Sequence, residues 1–323
     1  MFVQLGEELA GDLVQVEKRL QSAVASEEPL LSEIAMHVIG AGGKRLRPMA
    51  ALLAYRACGG RPGDTHALDI AVGLELIHSA SLIHDDINDG ALLRRGKEAA
   101  HRKYGIQNAL VTGDFLFTKG FQLAGKFDET VVNWTAEACT KLAEGEILQA
   151  RHRRDAKVPL EAYFRLISCK TAWVIAQGCR IGAYLAEAPK ETQDGIADFG
   201  LNLGIAFQIV DDVLDVRGDD AITGKVVGID VREGNATLPT LLALRRGGPK
   251  AERLARILMT HVKSDAEVKE ALGLIRELDG DKQAMEHAVE YARKARASLM
   301  QVPQNRYRDH LEALVDHVLT RSF

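Results

Sequence analysis

Leu82-Ile83-His84-Asp85-Asp86-Ile87-Asn88-Asp89 closes a long apolar helical pattern and runs straight into Gly90. Asp85 and Asp89 stand four residues apart, so on a helix both carboxylates leave one face, with Asp86 beside them. Three carboxylates this close repel one another. A divalent cation removes the conflict, and hard oxygen ligands with open positions suit Mg²⁺ held partly through a substrate phosphate. The pattern recurs at Asp211-Asp212-Val213-Leu214-Asp215, after another apolar run. A solvated helix end explains one such cluster. Two of them, entered through Leu82 and Ile83 and through Ile209 and Val210, point to helices whose ends enter a cavity.

The rest of the chain reads as helix after helix. Leu5, Leu9, Leu13, Val16 and Leu20 recur at threes and fours and predict an amphipathic first helix, and Pro29 opens a second with Leu30, Ile34 and Val38 inward. A helix over about 65–89 carries Ile70, Leu74, Ile77 and Ser81 toward the first acidic cluster, and one over about 191–216 leads to the second. No stretch alternates long enough to predict a strand. The expected fold is all-α, a single domain over 1–323.

Composition narrows the function. Apolar residues at 46% suffice for a large core, and 41 Lys plus Arg against 45 Asp plus Glu leave a net charge of −4, so bulk charge does not favour nucleic acid. Any anion site must come from local clustering. Cys58, Cys139, Cys169 and Cys179 form no CxxC pair and read as small buried residues of a reducing compartment. The N-terminus lacks a basic segment followed by an apolar one, and no uninterrupted apolar run reaches spanning length. A cytoplasmic protein without a transmembrane segment is expected.

Three basic stretches supply such clusters. Gly42-Gly43 precedes Lys44-Arg45-Leu46-Arg47-Pro48 at a helix start, where glycines permit close backbone approach, free N–H groups face outward and three cations add charge. A basic surface turn is the plainer reading. Arg94-Arg95-Gly96 follows the first acidic cluster closely enough for a phosphate bridged between metal and guanidinium. Lys170-Thr171 lies in an apolar stretch, where a lysine either faces an anion-filled cleft or snorkels outward. The glycine-rich loop 217–235, with Lys225, looks like a flap over a cleft mouth.

Together these motifs resemble the trans-isoprenyl diphosphate synthases, the polyprenyl synthetase family. The likeness covers most of the chain and rests on Gly42-Gly43-Lys44-Arg45-Leu46-Arg47-Pro48, on His78 in Glu75-Leu76-Ile77-His78-Ser79-Ala80, on the first cluster with Arg94-Arg95-Gly96, on Lys170-Thr171, and on Phe207-Gln208 with the second cluster and Gly224-Lys225. It implies an antiparallel helical bundle of the isoprenoid synthase type around a deep central cavity. The implied protein is usually a homodimer that joins isopentenyl diphosphate head-to-tail onto an allylic diphosphate, with transient membrane contact for product release. Asp85, Asp86, Asp89, Asp211, Asp212 and Asp215 would hold Mg²⁺. Arg94, Lys170 and Lys225 would grip the allylic diphosphate, and Lys44, Arg47, His78 and Arg95 isopentenyl diphosphate. Thr171 and Gln208 would present oxygens near the developing cation.

Two departures from the family pattern fall in the loop, where Val226 replaces a proline and Asn235 a second lysine. The latter bears on one diphosphate contact, and the ending Arg321-Ser322-Phe323 implies a weaker basic C-terminal closure of the site than is usual in the family. A terpene cyclase would share the ionisation chemistry but need no second diphosphate site, and a non-catalytic partner subunit should have lost acids that are all present here. Product length depends on the cavity floor. Below Asp85 the facing residues should be Ser81 and Ala80, then Ile77, then Leu74 and Gly73, and the small Ala80 and Ser81 leave the passage open. The floor is then expected deeper, at Trp134 or Phe117, giving a product longer than geranylgeranyl, with geranylgeranyl or farnesyl diphosphate as the shorter alternatives.

Overall fold

The structure is a computed structural model that describes residues 2–218 and 227–321. Helices α1 (Phe2–Ala23), α2 (Pro29–Ile39), α3 (Leu46–Ala57) and α4 (Thr65–Asp89) come first. The Asp64 carboxylate starts α4 by accepting from the His66 and Ala67 amides (2.9 and 3.0 Å), and Gly90, left-handed at φ 65°, ends it one residue past Asp89. By length and composition α4 reaches membrane-spanning size, although Asp69 and Glu75 interrupt its apolar run. Yet 83% of that stretch is buried, which marks a core helix.

Next comes a tight hairpin, β1 (Leu93–Arg94) and β2 (Lys97–Glu98), the only strands among the described residues. Its turn, Arg95-Gly96, has φ of 52° and 76°, the positive pair that a two-residue type I′ turn requires. Period-2 alternation cannot announce strands of two residues, which is why the sequence shows none. Helices α5 (Ala100–Tyr104), α6 (Ile106–Ala124), α7 (Glu129–His152), α8 (Leu160–Ile167), α9 (Trp173–Leu185) and α10 (Lys190–Arg217) follow, then shorter helices to Thr320. The expected all-α class holds.

The chain divides into two compact units, one of Met1–Cys139, Gln177–Ala197 and Gln301–Leu311, the other of Thr140–Ala176, Asp198–Met300 and Glu312–Phe323. In the first, α4 and α6 approach through glycines: a Cβ on Gly120 would stand 2.8 Å from Ile77 Cγ1 and 3.1 Å from the Gly73 carbonyl oxygen. That contact requires glycine. In the second, residues Ser168–Ala172 form a π-helical turn between α8 and α9. Glycines make room for it, since a Cβ on Gly145 of α7 would meet the Lys170 amide at 2.8 Å and one on Gly204 of α10 the Ala172 Cα at 2.5 Å. π-Turns cost regular hydrogen bonding and occur mostly at functional sites.

A buried ion pair ties α1 to α3. Arg56 (4% exposed) donates to Asp12 (6%), which also accepts from the Gly63 amide at 3.0 Å, while the guanidinium lies 5.6 Å from the Tyr307 ring centroid. Breaking such a pair leaves an uncompensated buried charge. Asp12→Ala should therefore destabilise the protein by about 3–5 kcal/mol, read as a lowered urea midpoint. A loss under about 1 kcal/mol, the worth of an exposed pair, would contradict this account of α1.

Candidate active site

In the first unit the acidic cluster and the glycine loop are linked by the hairpin. Arg94, on β1, donates through Nε (2.8 Å) and Nη2 to Asp86 Oδ1. Arg95, held left-handed in the turn, reaches the opposite way and donates to the Gly42 carbonyl. A Cβ on Gly43 would meet its guanidinium at 2.8–3.0 Å, so the close approach that the glycine pair permits is made by Arg95. Two consecutive arginines thus serve two anchor points. Asp85 and Asp86 are buried, and Asp89 lies one turn further on.

His78 sits within this cationic region. Burial, then the charges of Arg47, Arg95, Arg94 and Arg45, hold its imidazole well below the usual range, so it is neutral at pH 7 and offers one donor and one acceptor. Lys44 is exposed, and Arg47 lies in the first turn of α3. Arg45 overturns the expectation of three cations facing one anion. At φ 50° it turns inward, 8% exposed, donating to Glu17 (2.5 and 3.2 Å), Glu75 (2.6 Å) and the Ile39 carbonyl (3.2 Å). The left-handed backbone reverses its side chain relative to its neighbours.

In the second unit Thr171, Gln208 and Asp212 form a connected network. Thr171 Oγ1 donates to Gln208 Oε1 (2.8 Å), Gln208 Nε2 to Asp212 Oδ1 (3.0 Å), and the Tyr163 hydroxyl to Asp212 Oδ2 (2.6 Å). Burial, with the neighbouring Asp211 and Asp215 charges, pushes Asp212 up to about 7 despite these bonds. A carboxyl in that condition suits a cation beside it. Lys170 pairs with Glu146 (2.6 Å) and donates to Gln149 (2.9 Å), facing α7 and not bulk solvent.

Asp215 has another set of partners: Oδ1 accepts from the Gly228 and Ile229 amides and Oδ2 from that of Asp230, each at 3.1 Å. One end of the expected flap is thereby fixed. Lys225, Gly224 and Val226 lie outside the described residues.

Two groups here carried no sequence signal: Tyr163 lies 49 residues from the acid it bonds, and Asp230 is one of several acids in the glycine-rich stretch. Arg321, read from the sequence as part of a weakened basic closure, is a third group at this site. Burial and the charges of Asp215 and Asp212 hold Asp230 well above the carboxylate range. Arg321 pairs with Asp211 at 2.7 Å, donates to the Phe207 carbonyl and stacks 3.9 Å from the Phe207 ring centroid. These groups become neighbours only through folding.

A cavity of about 10 Å³ lies in the first unit, lined on α4 by Ile77, Leu74, Gly73, Ile70 and Asp69. The predicted face of α4 is the lining face from Ile77 downward, whereas Ala80 and Ser81 are buried outside the lining. Trp134 is not its floor. The ring packs edge-on against Tyr184 (5.4 Å, 84°) with the Arg180 guanidinium 4.5 Å from its centroid, while the next residue, Thr135, lines the cavity. One position turns a helical side chain by about 100°, more than counting residues along α7 resolves. Phe117 also lies elsewhere, tilted against His84 at 5.8 Å.

One unit thus carries an acidic cluster with an arginine against it, and the other a second acidic cluster and a lysine on a π-turn. The profile of the family described as Polyprenyl synthetase matches residues 28–275. A nonaprenyl diphosphate synthase of Mycobacterium tuberculosis is 34% identical over 96% of this chain and 92% of its own. A heptaprenyl diphosphate synthase component 2 of Geobacillus stearothermophilus is 36% identical over 98% and 97%. A polyprenyl synthase of Caulobacter crescentus, solved in complex with calcium and isoprenyl diphosphate, superposes with a TM-score of 0.94 at 36% identity, covering 99% and 98% of the two chains. The chain belongs to the polyprenyl synthetase family and is a prenyltransferase.

Proposed function

We propose that this protein condenses isopentenyl diphosphate head-to-tail with an allylic diphosphate, using Mg²⁺, and repeats the step to a polyprenyl diphosphate longer than geranylgeranyl. The observation that carries the reading is the hairpin whose Arg94 touches the first acidic cluster and whose Arg95 touches the glycine loop. A glycine loop and an acidic cluster joined by one hairpin support a two-diphosphate reaction over a cyclase, which needs no second diphosphate site. We take both units together as one domain, 1–323, in a cytoplasmic enzyme whose product leaves through transient membrane contact.

In this reading Asp85, Asp86 and Asp89, and Asp211 and Asp212, hold the ions, with Asp215 completing the second motif. The bound metal supplies neutralisation of the leaving diphosphate. Arg94, Lys170 and Lys225 bind that allylic diphosphate, and Lys44, Arg47, His78 and Arg95 bind isopentenyl diphosphate through donated hydrogen bonds. Thr171 Oγ1, whose proton already points to Gln208, turns lone pairs toward the developing cation. The departing diphosphate takes the final proton, so no protein base is required. Incubation with labelled isopentenyl diphosphate, farnesyl diphosphate and Mg²⁺ should move label into a diphosphate ester. A hydrocarbon formed without consuming isopentenyl diphosphate would favour the cyclase instead.

The relative named as a component of a synthase raises the question of a partner, and we propose a homodimer. On α6, Ile106, Leu110, Val111 and Phe121 are 61, 46, 52 and 37% exposed, apolar side chains that a second copy would cover. Leu110→Glu should convert a dimer to a monomer in sedimentation. A monomeric wild type that gains activity only with a second chain would support the two-component arrangement.

A further inference from the structure

The α4 stripe that lines the cavity is apolar at Ile77, Leu74 and Ile70 and then ends on a carboxylate, Asp69. Asp69 is 4% exposed, and both its oxygens are taken: Oδ1 by Arg19 of α1 at 2.6 Å and Oδ2 by Lys126, just past α6, at 2.8 Å. The side chains grade outward, 6% exposed for Asp69, 34% for Arg19 and 51% for Lys126. The triad therefore stands between the apolar cavity and water, and it joins three segments of the chain. Thr135, the other polar side chain in the lining, is already satisfied by donating to the Val131 carbonyl at 2.9 Å.

We infer that the Arg19–Asp69–Lys126 triad is the end-stop of the product channel and sets the longest chain the enzyme makes. The inference rests on the proposal that the growing prenyl chain descends along α4. Asp69 lies sixteen residues below Asp85, about 24 Å along the helix. At about 10 Å³ the cavity holds about one water, so its apolar walls must repack to admit a hydrocarbon. Repacking the apolar walls costs some strain, but the lost contacts are replaced by apolar contacts with the chain. Passing Asp69 is different, because the chain must part an ion triad and leave the buried Asp69 carboxylate unpaired in a hydrocarbon surround. The walls yield and the triad does not.

The test is the length of the dephosphorylated products made by the full-length protein from labelled isopentenyl diphosphate and farnesyl diphosphate. Asp69→Ala, and Arg19→Ala and Lys126→Ala singly, should each lengthen the longest product by at least one isoprene unit. Asp69→Glu, which keeps the charge and its partners, should restore the wild-type length. Gly120→Ala, whose methyl would press on Ile77 above the stop, should shorten it. Should Asp69→Ala fail to fold, the two half-exposed cations decide the matter. Wild-type length in both cation variants overturns the end-stop while leaving the condensation intact. A wild type that makes no prenyl diphosphate at all overturns the parent reading.

Discussion

Asp85→Ala and Asp211→Ala should each lower turnover on the order of a hundred- to a thousandfold, the cost of removing one preorganised group that stabilises developing charge. Asp85→Ala should leave the fold standing, whereas Asp211→Ala should also cost some stability. Asp85 is a buried acid beside a second one, Asp86, which keeps its Arg94 partner, so its removal relieves repulsion at the end of α4. Asp211 is 42% exposed but pairs with Arg321, whose side chain is 3% exposed and would keep the Phe207 ring and carbonyl while losing its carboxylate partner. Calorimetric titration with Mg²⁺ and diphosphate should show weakened metal binding in both, with the thermal midpoint of Asp85→Ala near wild type. Asp212→Ala is the contrast, because it strips partners from both Tyr163 and Gln208 and should cost stability as well. Near-normal turnover in either Asp85→Ala or Asp211→Ala would remove the metal assignment.

Arg47→Ala and Lys170→Ala should separate the two substrates. A hydrogen bond to a charged group is worth about 1.5–3 kcal/mol, about ten- to a hundredfold in an equilibrium. Arg47 stands in the cationic region around His78, so its loss should raise the KM for isopentenyl diphosphate by that factor and change the allylic KM little. Lys170 is fixed by Glu146 and Gln149 on a π-turn backed by Gly145. Its loss should act on the allylic substrate. Steady-state kinetics with each substrate varied in turn checks both, and equal changes for the two substrates would contradict the division.

The all-α class and both acidic clusters were legible because their signals are local. Helical spacing alone puts Asp85 and Asp89 on one face and predicts the descent through Ile77, Leu74 and Gly73, which line the cavity. Features that depend on distant neighbours were not legible. The π-turn at Lys170-Thr171 exists because Gly145 and Gly204 leave room for it, and neither glycine is near it in sequence. Arg45 looked like Lys44 and Arg47 until one left-handed residue turned it toward Glu17 and Glu75. Trp134 misses the lining of this cavity by one position of register, and Asp69 passed unnoticed because a lone acid in a helix resembles any solvated residue.

The most direct measurement is the product profile of the purified chain alone, given labelled isopentenyl diphosphate, farnesyl diphosphate and Mg²⁺, with the dephosphorylated alcohols resolved by chromatography. The account predicts a set of prenyl alcohols whose dominant member is longer than geranylgeraniol. Products that stop at geranylgeraniol with isopentenyl diphosphate in excess would contradict it.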